Sequence, residues 1–94
     1  MQSPTHPVSW FVTRGVRRTI RSDPLLVVAE SVGSKFLLSE PVYGLYEQCK
    51  TIDEGIEGIR TQLSMLWDAY VEFPESKLTE GGMELREKLR ALIK

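Results

Sequence analysis

Few side chains in this chain could perform chemistry, and their spacing keeps them apart. His6 is the only histidine and sits between Pro4 and Pro7. A single histidine cannot complete a catalytic triad or a multi-histidine metal site, because both need convergent partners. Cys49 is the only cysteine. A nucleophilic thiol needs a nearby base and a lowered pKa, and with no histidine close in sequence Cys49 reads as packing at a strand end. Asp53, Glu54 and Glu57 lie close together. Paired carboxylates can do acid–base work or hold a hard cation, but at a helix start they also cap the first turn and complement its dipole. Arg14, Arg17, Arg18 and Arg21 form a basic cluster of the kind that contacts phosphates or a protein partner. The neighbouring Trp10 and Phe11 show no interleaved stacking pattern, so a solvated edge or an acidic protein contact is favoured over nucleic acid. Trp67, Tyr70 and Phe73 recur at helical spacing and read as core. Trp67 is also a candidate interface residue, since tryptophan is enriched at binding hot spots. Gly81-Gly82 lacks the lysine and preceding strand of a phosphate-cradling loop. The expectation is no catalytic residue, no metal ligand and no cofactor.

The elements that must position these residues fit one domain. The chain has 94 residues, 41% of them hydrophobic and 27% charged, enough for a single core. One cysteine excludes an internal disulfide framework and a cysteine-based zinc site, and a reducing, cytoplasmic setting is expected. The apolar run Trp10-Phe11-Val12 is too short for a signal segment or a membrane span. The net charge of −1 hides an asymmetry: residues 1–24 carry four arginines against Asp23, net +3, while the rest carries 8 basic and 12 acidic side chains, net −4.

Residues 1–9, with two prolines and little to bury, read as a flexible tail, leaving 10–94 as the folded domain. Trp10–Arg21 is β-branched in places and reads as an extra N-terminal edge strand, weakened by Gly15. Ser22-Asp23-Pro24 signals a turn. Leu25–Val32 and Lys35–Ser39 flank Gly33-Ser34, which suits a type II′ hairpin because glycine tolerates the positive φ at its first position. That turn pairs Val32 with Lys35, Ser31 with Phe36 and Glu30 with Leu37. Glu40-Pro41 breaks the second strand, and a third falls between Tyr43 and Lys50.

Thr51 followed by Glu54 is a capping box that opens a helix. Apolar residues then recur at Ile52, Ile56, Ile59, Leu63, Leu66 and Tyr70, one stripe of an amphipathic helix that Trp67 and Phe73 widen and Pro74 ends. Gly55 and Gly58 each cost about 1 kcal/mol relative to alanine in a helix interior. Gly55 borders the stripe and would let a strand pack close; Gly58 has no evident reason. Thr79 caps a last helix reaching Ile93, striped by Leu78, Leu85, Leu89 and Leu92, with Glu84 and Lys88 as an i,i+4 pair. This helix either packs on the body or offers Leu85, Leu89 and Leu92 to a dimer partner. The fold class is α+β: an antiparallel β-β-β sheet followed by a long amphipathic helix and a C-terminal helix.

The stretch from Gly44 to Ile59 resembles the signature of HicB-like antitoxin domains. That family reads glycine, three residues, Gln-Gly, one residue, threonine, two residues, Glu-Ala and a later apolar position, and Gly44, Gln48, Thr51, Glu54 and Ile59 fall on it. Glu40–Gly44 loosely resembles the strand lead-in of the family, and Gly33 lies where its hairpin turn falls. Cys49 replaces a usual glycine and Gly55 a usual alanine. The resemblance covers residues 25–73 and rests on turn, cap and packing positions. It implies a β-β-β-α unit without catalysis, a small RNA-cleaving toxin as partner, and in many members repression of the operon. The DNA-binding module that often follows is expected to be missing, because about 20 residues remain after Pro74, fewer than such a module needs. A homodimer is expected as well, since edge strands and two amphipathic helices invite pairing.

Overall fold

The computed structural model describes residues 5–21 and 23–93. Residues 1–4 of the expected tail and Ser22 of the expected turn lie outside the described residues. Among the described residues six strands and two α-helices follow in order: β1 (Thr5–Val8), β2 (Trp10–Thr13), β3 (Val16–Thr19), β4 (Leu25–Val32), β5 (Lys35–Glu40), β6 (Leu45–Cys49), α1 (Ile52–Leu66) and α2 (Glu80–Leu92). Strands β1-β4-β5-β6 form an antiparallel sheet in that spatial order, and β2-β3 form a separate two-stranded sheet. This is the α+β arrangement expected, with two differences at the front.

The first difference is β1. Thr5–Val8, expected within the tail, pairs with β4 from Thr5↔Val28 to Val8↔Leu25, and Val8 is fully buried. Pro7 is tolerated because β1 is an edge strand, where a missing N–H need not break a ladder. The second is that Trp10–Arg21 folds back on itself rather than forming one strand. Arg14 and Gly15 both have positive φ, +49° and +76°, the pattern of a type I′ hairpin turn. The extended segment 5–13 thus changes partner at Ser9, from β4 to β3, and the Ile20 amide closes the changeover by donating to Ser9 O at 2.8 Å.

The β4–β5 hairpin has the register set by its turn: Val32↔Lys35, Ser31↔Phe36 and Glu30↔Leu37. Gly33 has φ +63°, and Ser34 is not in the left-handed region, as type II′ requires. Alternation then divides the sheet. Leu25, Val27, Ala29, Leu38, Leu45 and Cys49 face α1 and are buried, while Leu26, Val32 and Tyr46 on the other face are exposed.

Thr51 caps α1 as expected, its hydroxyl accepting from the Glu54 amide at 3.2 Å. Ile56, Ile59 and Leu63 enter the core, with Ile52, Leu66 and Tyr70 against it. Gly55 does what its border position suggests: a Cβ there would collide with a methyl of Leu38 and with Cys49 Sγ. Gly58 acquires a reason too, since a Cβ would run into the Glu47 carboxylate lying over it. After Leu66 the helix loosens into a π-helical turn, Trp67–Val71, closed by the Glu72 amide on Trp67 O at 3.2 Å. It stops short of Phe73, which is 42% exposed rather than part of the core stripe. A 3-10 turn (Glu75–Lys77) leads to α2, capped by the Thr79 hydroxyl on the Gly82 amide at 3.1 Å. Among the described residues no helix is long and apolar enough to cross a membrane.

Candidate interaction surfaces

The arginines do not form one stripe. Arg17 and Arg18 are neighbours on β3, so their side chains leave opposite faces of the hairpin. Arg18 turns inward: its Nε donates to the buried Thr13 hydroxyl at 2.8 Å, and its guanidinium lies 5.6 Å from the Trp67 ring centre. Arg14 reaches Glu72 at 3.7 Å, and Glu72 in turn accepts from Trp67 Nε1 at 3.1 Å. Phe11 completes this contact with its ring 6.1 Å from Trp67, tilted by 59°. On the other face Arg17 stacks on Trp10 at 3.8 Å and Arg60 of α1 stacks on the same ring at 4.0 Å. Two planar guanidiniums that close to one ring centre would collide on one side, so they take opposite faces. Arg60 also pairs with Glu57. Each cation–π contact is worth about 0.5–1 kcal/mol at an exposed site. Both faces of Trp10 are therefore occupied from within the chain. Arg18 reaches inward from the hairpin to Trp67, and Arg60 of α1 meets the hairpin at Trp10; Arg14, Arg17 and Arg21 are exposed, and the Arg21 backbone amide donates to Leu92 O at 2.7 Å.

The candidate dimer residues on α2 turn inward as well. Trp67 and Leu89 are core residues, and Leu85 and Leu92 pack against that core. The stripe that could have met a second copy is satisfied by the chain itself, because the turn before β6 holds α2 in place. Glu40, 1% exposed, accepts from the amides of Val42 and Tyr43 at 2.7 and 2.8 Å. Tyr43 O–H donates to Lys88 O at 3.2 Å, and Lys88 Nζ donates to Val42 O at 2.6 Å. Burial, with Glu40 adding to it, pushes the Tyr43 phenol up to about 12. Gly44 has φ +67°, so this turn needs the glycine that the family resemblance places there.

Cys49 ends β6 and is 8% exposed, its Sγ directed at Phe36 O at 3.6 Å. Burial, then the carboxylates of Glu47 and Glu54, raise the thiol's pKa, the opposite of what an activated nucleophile needs. His6 is half-buried on β1 beside Val27, far along the sheet from Cys49 on β6. Asp53, Glu54 and Glu57 are all exposed around the first turns of α1. Among the described residues no group of three or more histidine, cysteine or acidic side chains is placed to hold a metal ion.

Two apolar surfaces remain. One is the sheet face away from α1, where Leu26, Val32 and Tyr46 are 52%, 53% and 64% exposed. The other lies where α1 runs beside β6, the last strand of the sheet. There Leu45, Gln62, Met65, Leu66 and Ala69 line a recess of about 320 Å³, and Met65 is 65% exposed. Gln62 Nε2 donates to Tyr46 O and to the Glu47 carboxylate, tying the helix to the strand edge. Sequence reasoning passed over this recess. Its one signal was Met65, a large apolar residue off the buried stripe of α1.

No protein-family model, no curated protein and no solved structure matches this chain.

Proposed function

We propose that this chain is a non-enzymatic protein-interaction domain of HicB-like type, acting in the cytoplasm as an antitoxin that masks a small RNA-cleaving partner. The observation that carries the reading is the unit from Gly44 to Ile59. The residues that resemble the family each have a scaffold task here: Gly44 in a positive-φ turn, Thr51 and Glu54 in a cap, Ile59 in the core. With Gln48 they build a strand edge and a helix face set side by side, which are the surfaces a masking protein uses. The raised Cys49 thiol agrees with a non-catalytic role.

Co-purification from the source organism tests this. A stoichiometric complex with a small ribonuclease, and protection of cells against that ribonuclease on co-expression, is the expected result. Recovery of free chain alone, with no protection against a small ribonuclease encoded beside it, contradicts the antitoxin role.

Self-association belongs to the same reading, now through the open sheet face instead of α2. Leu25–Ala29 and Phe36–Leu38 are continuous apolar runs, and strands buried on one face alone usually alternate. Sedimentation is expected to give a dimer, and Leu26→Lys with Val32→Lys a monomer.

A further inference from the structure

The outer side of the β2–β3 hairpin gathers cations around one aromatic ring. Pairing sets Trp10 beside Thr19 and Val12 beside Arg17 on that side. Arg21 follows two residues after Thr19, in chain kept extended by the Ile20 bridge to Ile93. Alternation thus puts Arg17, Thr19 and Arg21 along one side, with the two arginines ~13 Å apart at the usual strand rise. Both arginines are exposed, and neither has a carboxylate partner among the described residues. Residues 1–21 contain no aspartate or glutamate. Along the sequence the aromatics and arginines stand in separate groups. The hairpin interleaves them, because Trp10 on β2 lies across from Thr19, between Arg17 and Arg21.

The two guanidiniums on Trp10 are not equally fixed. Arg60 is paired with Glu57, and its side chain is only 18% exposed. Arg17 is exposed and has the ring as its only side-chain contact. A cation–π contact at an exposed site is worth about two- to fivefold in an equilibrium constant, and a base stacked on an aromatic ring about five- to 150-fold. A nucleobase thus displaces Arg17 from Trp10, and the freed guanidinium can meet a neighbouring phosphate. Next to the ring is a recess of about 160 Å³, where Thr61 and Ser64 of α1 offer hydroxyls to a base edge. Glu57 borders the recess as well, and Asp68 lies one turn beyond Ser64. These carboxylates repel phosphates from the helix and leave the β3 side as their track.

We infer that the outer side of the β2–β3 hairpin binds single-stranded nucleic acid, with one base on Trp10 in place of Arg17 and the adjoining phosphates on Arg17 and Arg21. A duplex keeps its base faces stacked and has none to give the ring. This is a second binding function, on the hairpin side of α1, and it does not depend on the protein-interaction reading above.

Fluorescein-labelled decathymidylate and decauridylate are the probes, read by anisotropy with the full chain. Saturable binding of either strand at about 50 mM salt is expected, and the tighter of the two identifies the sugar. Two phosphate contacts give a slope of about −1.4 in log affinity against log salt. Arg17→Gln and Arg21→Gln should each remove about half of that slope. Trp10→Leu should weaken binding about five- to 150-fold, while Trp10→Phe retains most of it and abolishes the tryptophan quenching seen with the native chain. Met65→Gln, on the far side of α1, should bind like the native chain. No binding at about 50 mM salt, undiminished binding by Trp10→Leu, or equally tight binding of a duplex would overturn the assignment. Decaglutamate bound as tightly as the strands would overturn it too, in favour of an acidic protein segment.

Discussion

The β6–α1 unit and the β2–β3 hairpin flank the same helix and are held by different forces. In the first, glycine lets α1 approach the sheet until Leu38 and Cys49 fill the space a Cβ would take. In the second, Phe11 is buried against Trp67, and guanidiniums on tryptophan faces and the exposed Arg14–Glu72 pair are added to that packing. Close apolar packing is intolerant of added volume and indifferent to salt. Stacked and paired charges tolerate small shifts and weaken as salt rises. The hairpin turns Arg18 inward and leaves Arg14, Arg17 and Arg21 exposed, while an apolar recess opens beside β6. Part of a cluster that stands out by composition thus does structural work, and a segment composed of scaffold residues borders an open apolar recess.

Substitutions can break or sharpen this contrast. The largest effect is expected where the two regions meet. Trp67→Ala removes a core side chain that Phe11, Arg18 and Glu72 all contact, and should cost about 3–5 kcal/mol in denaturant unfolding. Gly55→Val comes next, at about 2–3 kcal/mol from overpacking on Leu38 and Cys49. Its companion Gly58→Ala should cost less, about 1 kcal/mol, because Glu47 is a side chain that can swing aside at the expense of its bond from Gln62, a loss that the helix propensity of alanine partly offsets. Equal losses at both glycines would contradict the close-packing account. Trp10→Ala should cost about 1–2 kcal/mol, the sum of two cation–π contacts. That loss should shrink at molar salt while the Gly55→Val loss stays unchanged.

The smallest effect at neutral pH concerns Tyr43. Its phenol is raised from 10.0 to about 12 by burial and by Glu40. A group held neutral by the fold keeps the folded state more protonated than the unfolded one between those values, so stability falls as pH rises from about 10 to about 12. Tyr43→Phe should flatten that slope in pH-dependent unfolding and leave stability near neutrality little changed. An unaltered alkaline slope would show that the turn at Glu40–Gly44 is not its source.

Local signals were legible in the sequence and long-range ones were not. Gly33-Ser34 sets its hairpin register residue by residue, and Thr51 announces its cap, because both depend on neighbours a few positions away. The β2–β3 turn was hidden because it is built from Arg14-Gly15 instead of the Asn-Gly that normally marks a type I′ turn. Strand β1 was hidden because Pro4 and Pro7 read as tail, and only its distant partner β4 makes it a strand. Arg60 on Trp10, like the α2 stripe turning inward, is a tertiary contact with no local mark. The recess was half-legible: Met65 stood off the apolar stripe, but nothing in the sequence said that it lay beside the last strand of the sheet.

The central claim is that this chain binds a protein partner through β6 and α1, with the hairpin as an internal brace. Hydrogen exchange on the chain in complex with its co-purified partner tests it most directly. Slowed exchange at residues 45–49 and 61–69, with residues 10–19 unchanged, is the predicted result. Protection confined to residues 10–19, or co-purification of nucleic acid with no protein partner, would contradict it.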